Sequence, residues 1–376
     1  MSILDRTDRS FLGVWWWTID HKLLGMLFLL VIGGVMLLMS AGPPVVEKLN
    51  LNTNVNLSQH YFLFKQLFFL SIAIPLMLVF SMLDLKQIRR VSILGLMLCI
   101  TGIILANNFG QDIKGATRWI NIAGFTVQPS EFSKPFFAIV NAWLISLWIE
   151  DKNFPGWLYS CILFVILISL LLLQPDVGMA FIIASTWVFQ FFISGIPIII
   201  LVLISLSFML ISIFCFLSFP HVQNRIEIFL EGGGYQIKNS IEAFKSGGFF
   251  GQGFGEKVVS NHLPDSHSDF IFAVAGEELG ILGAGIIISA YALIFWRGLI
   301  LSSTTNRLFI LLVSSSLIFQ FCIQSAIHMA STLSMIPTKG MTLPFISYGG
   351  SSLLSSSIGM GIFLAITRRQ TFWRNE

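Results

Sequence analysis

The sequence predicts an all-α integral membrane protein with about ten transmembrane helices. Composition carries the prediction, because 55% of the 376 residues are hydrophobic and only 11% are charged, against roughly 25% charged residues in soluble domains. The apolar residues also come in blocks close to the ~20 residues that cross a ~30 Å hydrocarbon layer. Backbone amides in lipid must be satisfied internally, so these blocks should be helices.

The apolar blocks divide into ten predicted spans within a single membrane domain, residues 1–376. Residues 1–22 form an N-terminal segment, residues 368–376 form a tail, and residues 220–269 form a large loop between the seventh and eighth spans. The predicted spans cover residues 23–42, 61–83, 91–106, 133–149, 157–173, 177–195, 196–219, 270–295, 307–329 and 351–367.

Basic residues set the orientation of the predicted spans. They cluster before the first span, after the second and fourth, around the link after the eighth, and behind the last, as Arg6, Arg9, Lys22, Lys86, Arg89, Arg90, Lys152, Arg297, Arg307, Arg368, Arg369 and Arg374. Because short cytoplasmic loops are rich in Lys and Arg, both termini should be cytoplasmic. The net charge of +3 therefore reports topology and gives no reason to invoke a nucleic-acid partner.

Three links should then share the outer surface. Residues 107–132 and 220–269 are long, and long loops that keep aromatic and apolar residues are often functional. The shorter link 330–350 contains the helix-breaking sequence SMIPTKGMTLPFISYGG. The polar groups of these three links can converge on one site.

The first outer link concentrates polar side chains beside Trp119, namely Lys114, Arg118, Gln128, Glu131 and Lys134. Cations at an outer-leaflet entrance suit a diphosphate or another anionic head group. The alternative is a helix start at QPSEF, with Gln128 or Ser130 near the cap, Pro129 early in the helix and Glu131 favoured by the dipole. The two interpretations are compatible.

A few polar side chains fall within the predicted spans: Glu277, Glu278, Gln320, Gln324 and His328. The two glutamates lie about two turns inside the eighth span, where an ionisable group needs a polar partner or a water-filled cavity. The other three recur every four residues and line one helical face, which usually cements helix packing. Asp176, in QPDVG, is either a turn residue or a site group.

The sequence HLPDSHSDFIF places four titratable residues at the start of the eighth span: His262, Asp265, His267 and Asp269. Ser266 and Asp269 have the spacing of a capping box, which predicts a helix start here. The functional alternative is that Asp269 acts as a general base on a hydroxyl at the water–lipid boundary. The four residues do not have the spacing of a zinc site.

Four motifs together resemble the SEDS family (shape, elongation, division and sporulation), in its order and spacing: RWINIAGFTVQPSEFSK, QPDVG, LPDSHSDFIFAVAGEELG and PTKGMTLPFISYGGSS. The resemblance implies a ten-span bacterial inner-membrane peptidoglycan glycosyltransferase that polymerises lipid II on the periplasmic face. The sequences WWWTIDH, GQGFGE and GMTLPFISYGGSS look more like the cell-division members than the elongation members, which implies a role at the septum.

The resemblance also implies site residues. The essential Asp of the family's HTDFIF motif falls on Asp269, and the RW and QPSE positions fall on Arg118, Trp119, Gln128 and Glu131, followed by Lys134. Arg225 and Lys339 supply further cations in the outer links, and His267 is a candidate to orient Asp269. The chain departs from the family at Ser268, where Thr is usual, and at His328, where Asn is usual.

These residues suit a chemistry with one base and several cations. A sugar linked to a lipid diphosphate already has a good leaving group, and a single displacement inverts the anomeric centre, whereas retention calls for a carboxylate pair about 5 Å apart. A divalent cation such as Mg²⁺ could assist at the diphosphate, although no dedicated ligand set is evident in the sequence.

The predicted ligands are lipid II and undecaprenyl-diphosphate-linked glycan. The partners that the resemblance implies are a class B penicillin-binding protein, which is an FtsI-like transpeptidase, and other division proteins. Two rival hypotheses remain. One is a lipid II flippase, favoured by Lys65, Glu277, Glu278, Gln320 and Gln324, and the other is a non-catalytic scaffold of a division complex.

Overall fold

The structure is a computed structural model. It describes residues 10–53, 56–113, 116–122, 124–197, 199, 206, 223, 227, 234–337 and 340–368. The helices of these residues are α1 (Phe11–Thr18), α2 (His21–Thr53), α3 (Tyr61–Ser81), α4 (Leu85–Phe109), α5 (Pro129–Glu150), α6 (Gly156–Leu173), α7 (Val177–Ile193), α8 (Tyr235–Gly247), α9 (Ile271–Ser302), α10 (Leu308–Thr332) and α11 (Gly350–Ile366). The strands are β1 (Gln111–Ile113), β2 (Ala116–Ile122) and β3 (Phe125–Val127), and a 3₁₀ turn covers Ser260–His262.

The predicted helical membrane fold is confirmed. Seven described helices are long and apolar enough to cross a bilayer, and α7 and α11 are shorter apolar helices. Each of these coincides with a predicted span. The predicted seventh span, residues 196–219, lies almost entirely outside the described residues, so the count of ten stays a prediction.

The centre of the helical bundle is formed by α5, α10 and α11. The apolar stretches of α5 and α10 are mostly buried, whereas α3, α4, α6 and α9 keep most of their apolar surface on the outside, as expected for helices that face lipid. Small residues bring α11 close to α3: a Cβ on Gly361 would stand 2.5 Å from the carbonyl oxygen of Met77. At the other end of α11, a Cβ on Gly350 would stand 2.5 Å from the ring of Phe69, so the start of α11 also packs closely against α3.

The first outer link contains a small antiparallel sheet with strand order β1-β2-β3. Ile120 pairs with Val127, and the turn between β2 and β3 has Gly124 at φ +86°. The side-chain oxygen of Asn121 accepts from the Gly124 amide at 3.0 Å, which stabilises this turn. The sheet departs from the all-α prediction outside the membrane, and its central strand carries Arg118 and Trp119.

Helix α9 is broken at Gly280, which has φ +66°. The glycine-rich segment 248–253 completes the break, since the Ile281 amide donates to the carbonyl of Gly248 at 3.0 Å and the Gln252 amide donates to the carbonyl of Glu277 at 3.0 Å. Backbone groups exposed by the break are thereby satisfied. Segment 248–253 and α9 are therefore joined by backbone hydrogen bonds on both sides of Gly280.

Candidate active site

A cavity of about 530 Å³ opens among the outer ends of the helices. Its walls come from α3, the β2–β3 hairpin, the starts of α5, α7, α8 and α11, the end of α10, and the turns around residues 265–270 and 340–349. The polar side chains of its wall are Lys65, Arg118, Trp119, Thr126, Gln128, Glu131, Asp176, Gln236, Asp265, His267, Ser268, Asp269, Ser331, Thr342, Tyr348, Ser351 and Ser352. The three outer links therefore do converge, as the sequence predicts.

Asp269 lies in a turn rather than in the first turn of a helix. Helix α9 begins at Ile271 and its cap residue, Phe270, makes no side-chain cap hydrogen bond. The predicted capping box of Ser266 and Asp269 is therefore wrong. The reason is a competing turn: Asp265 has φ +56°, and its carbonyl accepts from the Asp269 amide at 3.0 Å.

The segment before α11 holds this turn in place. The Ser347 hydroxyl donates to the carbonyl of Ser268 at 2.6 Å, and the Tyr348 amide donates to the carbonyl of His267 at 3.0 Å. These two bonds use the carbonyls of the two residues that precede Asp269. Asp269 thus lines the cavity from a turn that the segment before α11 holds in place.

His267 lines the cavity as part of an aromatic cluster. Its ring centroid lies 4.2 Å from that of Phe62 on α3 and 5.3 Å from that of Tyr348. Burial, and secondarily the nearby Tyr61, raises the pKa of the Tyr348 phenol, so it stays a neutral hydroxyl at physiological pH. The structure thus gives the predicted site residue His267 a packing role in the cavity wall.

Arg118 projects from β2 across the loop that starts α7. Its Nε donates to the carbonyl of Gln174 at 3.1 Å, another of its nitrogens donates to the carbonyl of Pro175, and its Nη1 lies 3.7 Å from Asp176 Oδ1. Trp119 lines the cavity beside it. The planar guanidinium therefore ties the hairpin to α7, a geometry that lysine could not reproduce.

Asp176 is both a residue of the turn before α7 and a residue of the cavity wall. It is the cap of α7, where its Oδ1 accepts from the Met179 amide at 3.4 Å, and it also lines the cavity. Burial raises the pKa of its carboxyl, while the neighbouring Arg118 lowers it in part.

The predicted helix start at QPSEF is confirmed. Gln128 is the cap of α5, Pro129 is its first residue and Glu131 lies in its first turn. The Gln128 amide nitrogen Nε2 donates to Ser130 Oγ at 3.0 Å and to Asp176 Oδ2 at 3.3 Å. Gln128 and Glu131 both line the cavity, as predicted for site residues.

Lys134 lies behind the cavity wall rather than in it. Its Nζ is 2.6 Å from Glu131 Oε2 and 2.5 Å from Gln324 Oε1, and only 4% of the residue is exposed. Three residues further along α5 than Glu131, it faces α10 instead of the opening. The prediction that Lys134 contacts substrate directly is therefore not supported by this geometry, which makes it the buried partner of Glu131.

Two predicted cations, Arg225 and Lys339, lie outside the described residues. Several cavity residues were absent from the predicted site, among them Lys65, Asp265, Gln236 and Tyr348. Lys65 had a detectable signal, since it is the lone charged residue between residues 61 and 83. Gln236 had none, because polar residues are common in outer loops.

The two glutamates of α9 have the polar partners that their depth requires. Glu277 accepts from the backbone amides of Val258, Val259 and Ser260 at 2.9, 2.8 and 2.7 Å. Glu278 accepts from Ser40 on α2 and lies 3.8 Å from the Nζ of the buried Lys257. Both glutamates therefore anchor the outer loop.

The polar stripe on α10 cements packing, as its spacing indicates. Gln320 donates to the carbonyl of Lys134 at 3.0 Å, Gln324 donates to the carbonyl of Thr342 at 3.0 Å, and His328 Nδ1 lies 2.6 Å from the carbonyl oxygen of Met341. The stripe joins α10 to α5 and to the 340–349 turn.

A divalent cation at the diphosphate would need a set of oxygen or nitrogen ligands in the cavity. Within the described part of the chain, no group of three His, Cys, Asp or Glu side chains is placed to hold a metal ion. Asp269, Asp265, Asp176 and Glu131 line one cavity without forming such a group. The residues therefore do not form a dedicated metal site, and Mg²⁺ assistance stays a prediction.

Comparison with known proteins assigns the family. Residues 21–371 match the family of FtsW, RodA and SpoVE, which is described as cell cycle protein. The chain belongs to this family. A relative from Caulobacter vibrioides, named "Probable peptidoglycan glycosyltransferase FtsW", is 38% identical over 97% of this chain and 93% of its own. A protein of the same name from Trichlorobacter lovleyi is 34% identical over 93% of this chain and 93% of its own.

Solved structures share the fold. A chain from a structure on the coordination of polymerization and crosslinking by a peptidoglycan synthase complex has a TM-score of 0.75 at 23% identity, covering 94% of this chain and 98% of that chain. The rod shape determining protein RodA of Thermus thermophilus has a TM-score of 0.68 at 24% identity, covering 94% and 97%. Family and multi-pass helical fold are confirmed, and the relatives carry the predicted enzyme class in their names.

Proposed function

We propose that the chain is a peptidoglycan glycosyltransferase that polymerises lipid II for septal wall synthesis during cell division, with Asp269 as the general base. The observation that carries the proposal is the position of Asp269, which lies on a doubly anchored turn and faces a polar cavity at the outer ends of apolar helices. A base acting on a lipid-linked sugar needs this boundary position. The family and the names of the relatives support the enzyme class.

In the proposed reaction Asp269 takes the proton from the 4-hydroxyl of the GlcNAc of an acceptor lipid II. The hydroxyl oxygen then forms a bond to the anomeric carbon of a growing chain. The bond from that carbon to the diphosphate oxygen breaks, and undecaprenyl diphosphate leaves with the electron pair. Cations and hydrogen-bond donors of the cavity stabilise the negative charge of the leaving group. The single displacement inverts the anomeric centre.

The test is glycan polymerisation from lipid II by the purified chain with its transpeptidase partner. Asp269→Asn and Asp269→Ala should reduce the rate by about a hundredfold or more, because a positioned base contributes roughly 10²–10⁴-fold. The matched control is Asp265→Asn, since Asp265 is a second carboxylate of the same turn that lines the same cavity. Wild-type rates from an Asp269 variant, or an equal loss in Asp265→Asn, would refute the assignment of the base.

The rival flippase function loses support from the structure. A flippase needs a polar path through the bilayer, but Glu277 is engaged with the outer loop, and Glu278 with Ser40 of α2 and with Lys257. Gln320 and Gln324 donate to backbone carbonyls. Dye-labelled lipid II in liposomes separates the two functions, because a polymerase yields long glycan and a flippase yields only redistributed monomer. A scaffold would predict normal division with Asp269→Ala.

The proposed setting is the bacterial inner membrane at the division septum, with the cavity on the periplasmic side. The proposed partner is a class B penicillin-binding protein, which would cross-link the glycan made here. Support comes from the likeness to a chain of a peptidoglycan synthase complex and from relatives named FtsW. Midcell localisation of a fluorescent fusion, and co-purification with the transpeptidase, test these two points.

A further inference from the structure

Lys65 occupies a singular position in the cavity wall. It lies in the second turn of α3, between Phe64, which is 62% exposed on the outer surface of this apolar helix, and the cavity-lining Phe69 one turn on. Phe62 and Gln66 on the same helix point inward and are buried. The ammonium group of Lys65 therefore sits on the line where the cavity meets the hydrocarbon.

The cavity wall has more carboxylates than cations, so the Lys65 ammonium matters for the binding of an anionic ligand. Four carboxylates line the described part of the wall, those of Glu131, Asp176, Asp265 and Asp269, against two permanent cations, Lys65 and Arg118. A diphosphate carries at least two negative charges, so its entry into such a wall requires a cation that is not already committed to a carboxylate.

Arg118 is committed. Its guanidinium donates to the carbonyls of Gln174 and Pro175 and lies beside Asp176. Binding a phosphate would require it to give up some of these contacts, which hold the hairpin against α7. Lys134 and Lys257 are also committed, because they are buried and lie close to Glu131 and Glu278.

Lys65 has a different set of neighbours. Its Nζ lies 3.2 Å from the Tyr61 hydroxyl oxygen and 5.3 Å from the centre of that ring, one turn earlier on α3. No ion pair joins it to a carboxylate among the residues that the structure describes. A neutral phenol orients the ammonium without cancelling its charge, and leaves two of its three donors for a ligand.

We propose that Lys65 binds the diphosphate of the polyprenyl-diphosphate-linked substrate and stabilises it as it leaves. The proposal rests on the glycosyltransferase function above and adds a residue to it. In such a substrate the diphosphate joins a hydrocarbon tail to a sugar, and Lys65 lies where hydrocarbon and polar cavity meet. The tail then extends past Phe64 into lipid, and the sugar lies in the cavity toward Asp269.

Binding of undecaprenyl diphosphate to the detergent-solubilised full chain, measured by native mass spectrometry, tests the proposal. Lys65→Gln should weaken binding by about ten- to a hundredfold, the effect of losing a charge-assisted hydrogen bond. Lys65→Arg should restore most of the affinity. Binding of undecaprenol, which has no phosphate, should be the same in all three proteins. The control variant Lys245→Gln removes an exposed lysine of α8 that lies outside the cavity wall.

The outcomes separate this proposal from the proposed function. Equal diphosphate affinity of wild type and Lys65→Gln, in protein with an unchanged melting temperature, overturns the proposal and makes Lys65 an interfacial anchor of α3. If Lys65→Gln weakens diphosphate binding but wild type polymerises no lipid II, the binding role stands and the glycosyltransferase function fails. If Lys65→Gln folds poorly, Lys65→Arg provides the test instead. A folded Lys65→Arg variant that binds undecaprenyl diphosphate no more tightly than undecaprenol also overturns the proposal.

Discussion

Gly340 lies directly against the carboxylate of Asp269. A Cβ on Gly340 would stand 3.2 Å from Asp269 Oδ2, and Gly340 itself has φ +58°. Gly340 therefore meets two requirements: a left-handed backbone conformation that favours glycine, and the absence of a side chain beside the proposed base. The 340–349 turn thus contacts the Asp269 carboxylate through Gly340, and its residues Ser347 and Tyr348 hold the carbonyls of the two residues before Asp269.

This contact predicts that Gly340→Ala lowers catalysis more than stability. The added methyl group pushes the Asp269 carboxylate by a few tenths of an ångström, and misplacement of a reacting group is costly, so we expect about a tenfold lower rate of lipid II polymerisation. Gly255→Ala is the control, because Gly255 has φ +83° but open space around its Cβ position. It should share the backbone strain and keep the rate. Similar losses in both variants would show that strain alone is responsible.

The hydrogen bonds of Glu277 lead to a second prediction, which concerns the stability of the outer loop at residues 258–260. Its carboxylate accepts three backbone amide hydrogen bonds from residues 258–260, and a neutral amide accepts them less strongly. Glu277→Gln should destabilise the loop by about 2 kcal/mol, seen as faster amide hydrogen exchange at residues 258–260. Glu256→Gln, at an exposed position of the same loop, should leave exchange unchanged. Unchanged protection in Glu277→Gln would contradict the anchoring role.

Lys257 predicts a pH dependence. Burial lowers the pKa of Lys257 to about 8, although Glu278 and Glu277 act in the opposite direction. Between pH 8 and the usual lysine value of 10.5 the unfolded chain holds a proton that the folded chain has lost. The free energy of unfolding should therefore rise with pH across this window, by up to about 3 kcal/mol, and the cost is fully present below pH 8.

The measurement for Lys257 is the melting temperature between pH 7 and 10.5 in wild type and in Lys257→Met. Other groups titrate in both proteins, so the difference between the two curves isolates Lys257. Wild type should gain stability with rising pH relative to the variant. Parallel curves would mean that the folded state does not perturb the titration of Lys257.

The sequence predicts the helices well and the turns poorly. Long apolar blocks must be helical in lipid, so the spans fall where the hydropathy places them. The break of α9 at Gly280 could not be predicted in this way, because a single glycine only weakens a helix slightly. The break depends on segment 248–253, which is hydrogen-bonded to the backbone on both sides of Gly280. The capping box failed similarly, since the turn at Asp265 depends on Ser347 and Tyr348, far away in the sequence.

The site residues also divide into those that sequence motifs predict and those that depend on how the helices and turns pack. Arg118, Trp119, Gln128, Glu131, His267 and Asp269 were predicted from motifs and all line the cavity. Lys65 and Tyr348 were not, because their roles depend on which face of α3 or of the 340–349 turn meets the cavity. Lys134 is the opposite case. Its place in a motif predicts contact with the substrate, but the structure buries it against Gln324 of α10.

Lys134 and Glu131 give the last prediction, through a double-mutant cycle. Removing one member of a buried ion pair leaves the other charge uncompensated, so Glu131→Gln and Lys134→Met should each cost roughly 3–5 kcal/mol of stability. The double variant should cost clearly less than the sum, because no buried charge is left unpaired. Lys152→Met, at an exposed position after α5, is the control and should be neutral.

The same cycle separates the two interpretations of Lys134. If Lys134 acts only through packing, the double variant should polymerise lipid II at least as fast as Glu131→Gln, which also lacks the cavity-lining carboxylate of Glu131. If Lys134 instead binds the diphosphate, the double variant should be more stable than Glu131→Gln but polymerise lipid II more slowly, because it has also lost the ammonium that attracts phosphate oxygens. The geometry favours the first outcome: the Lys134 ammonium lies between Glu131 and Gln324, and just 4% of the residue reaches solvent.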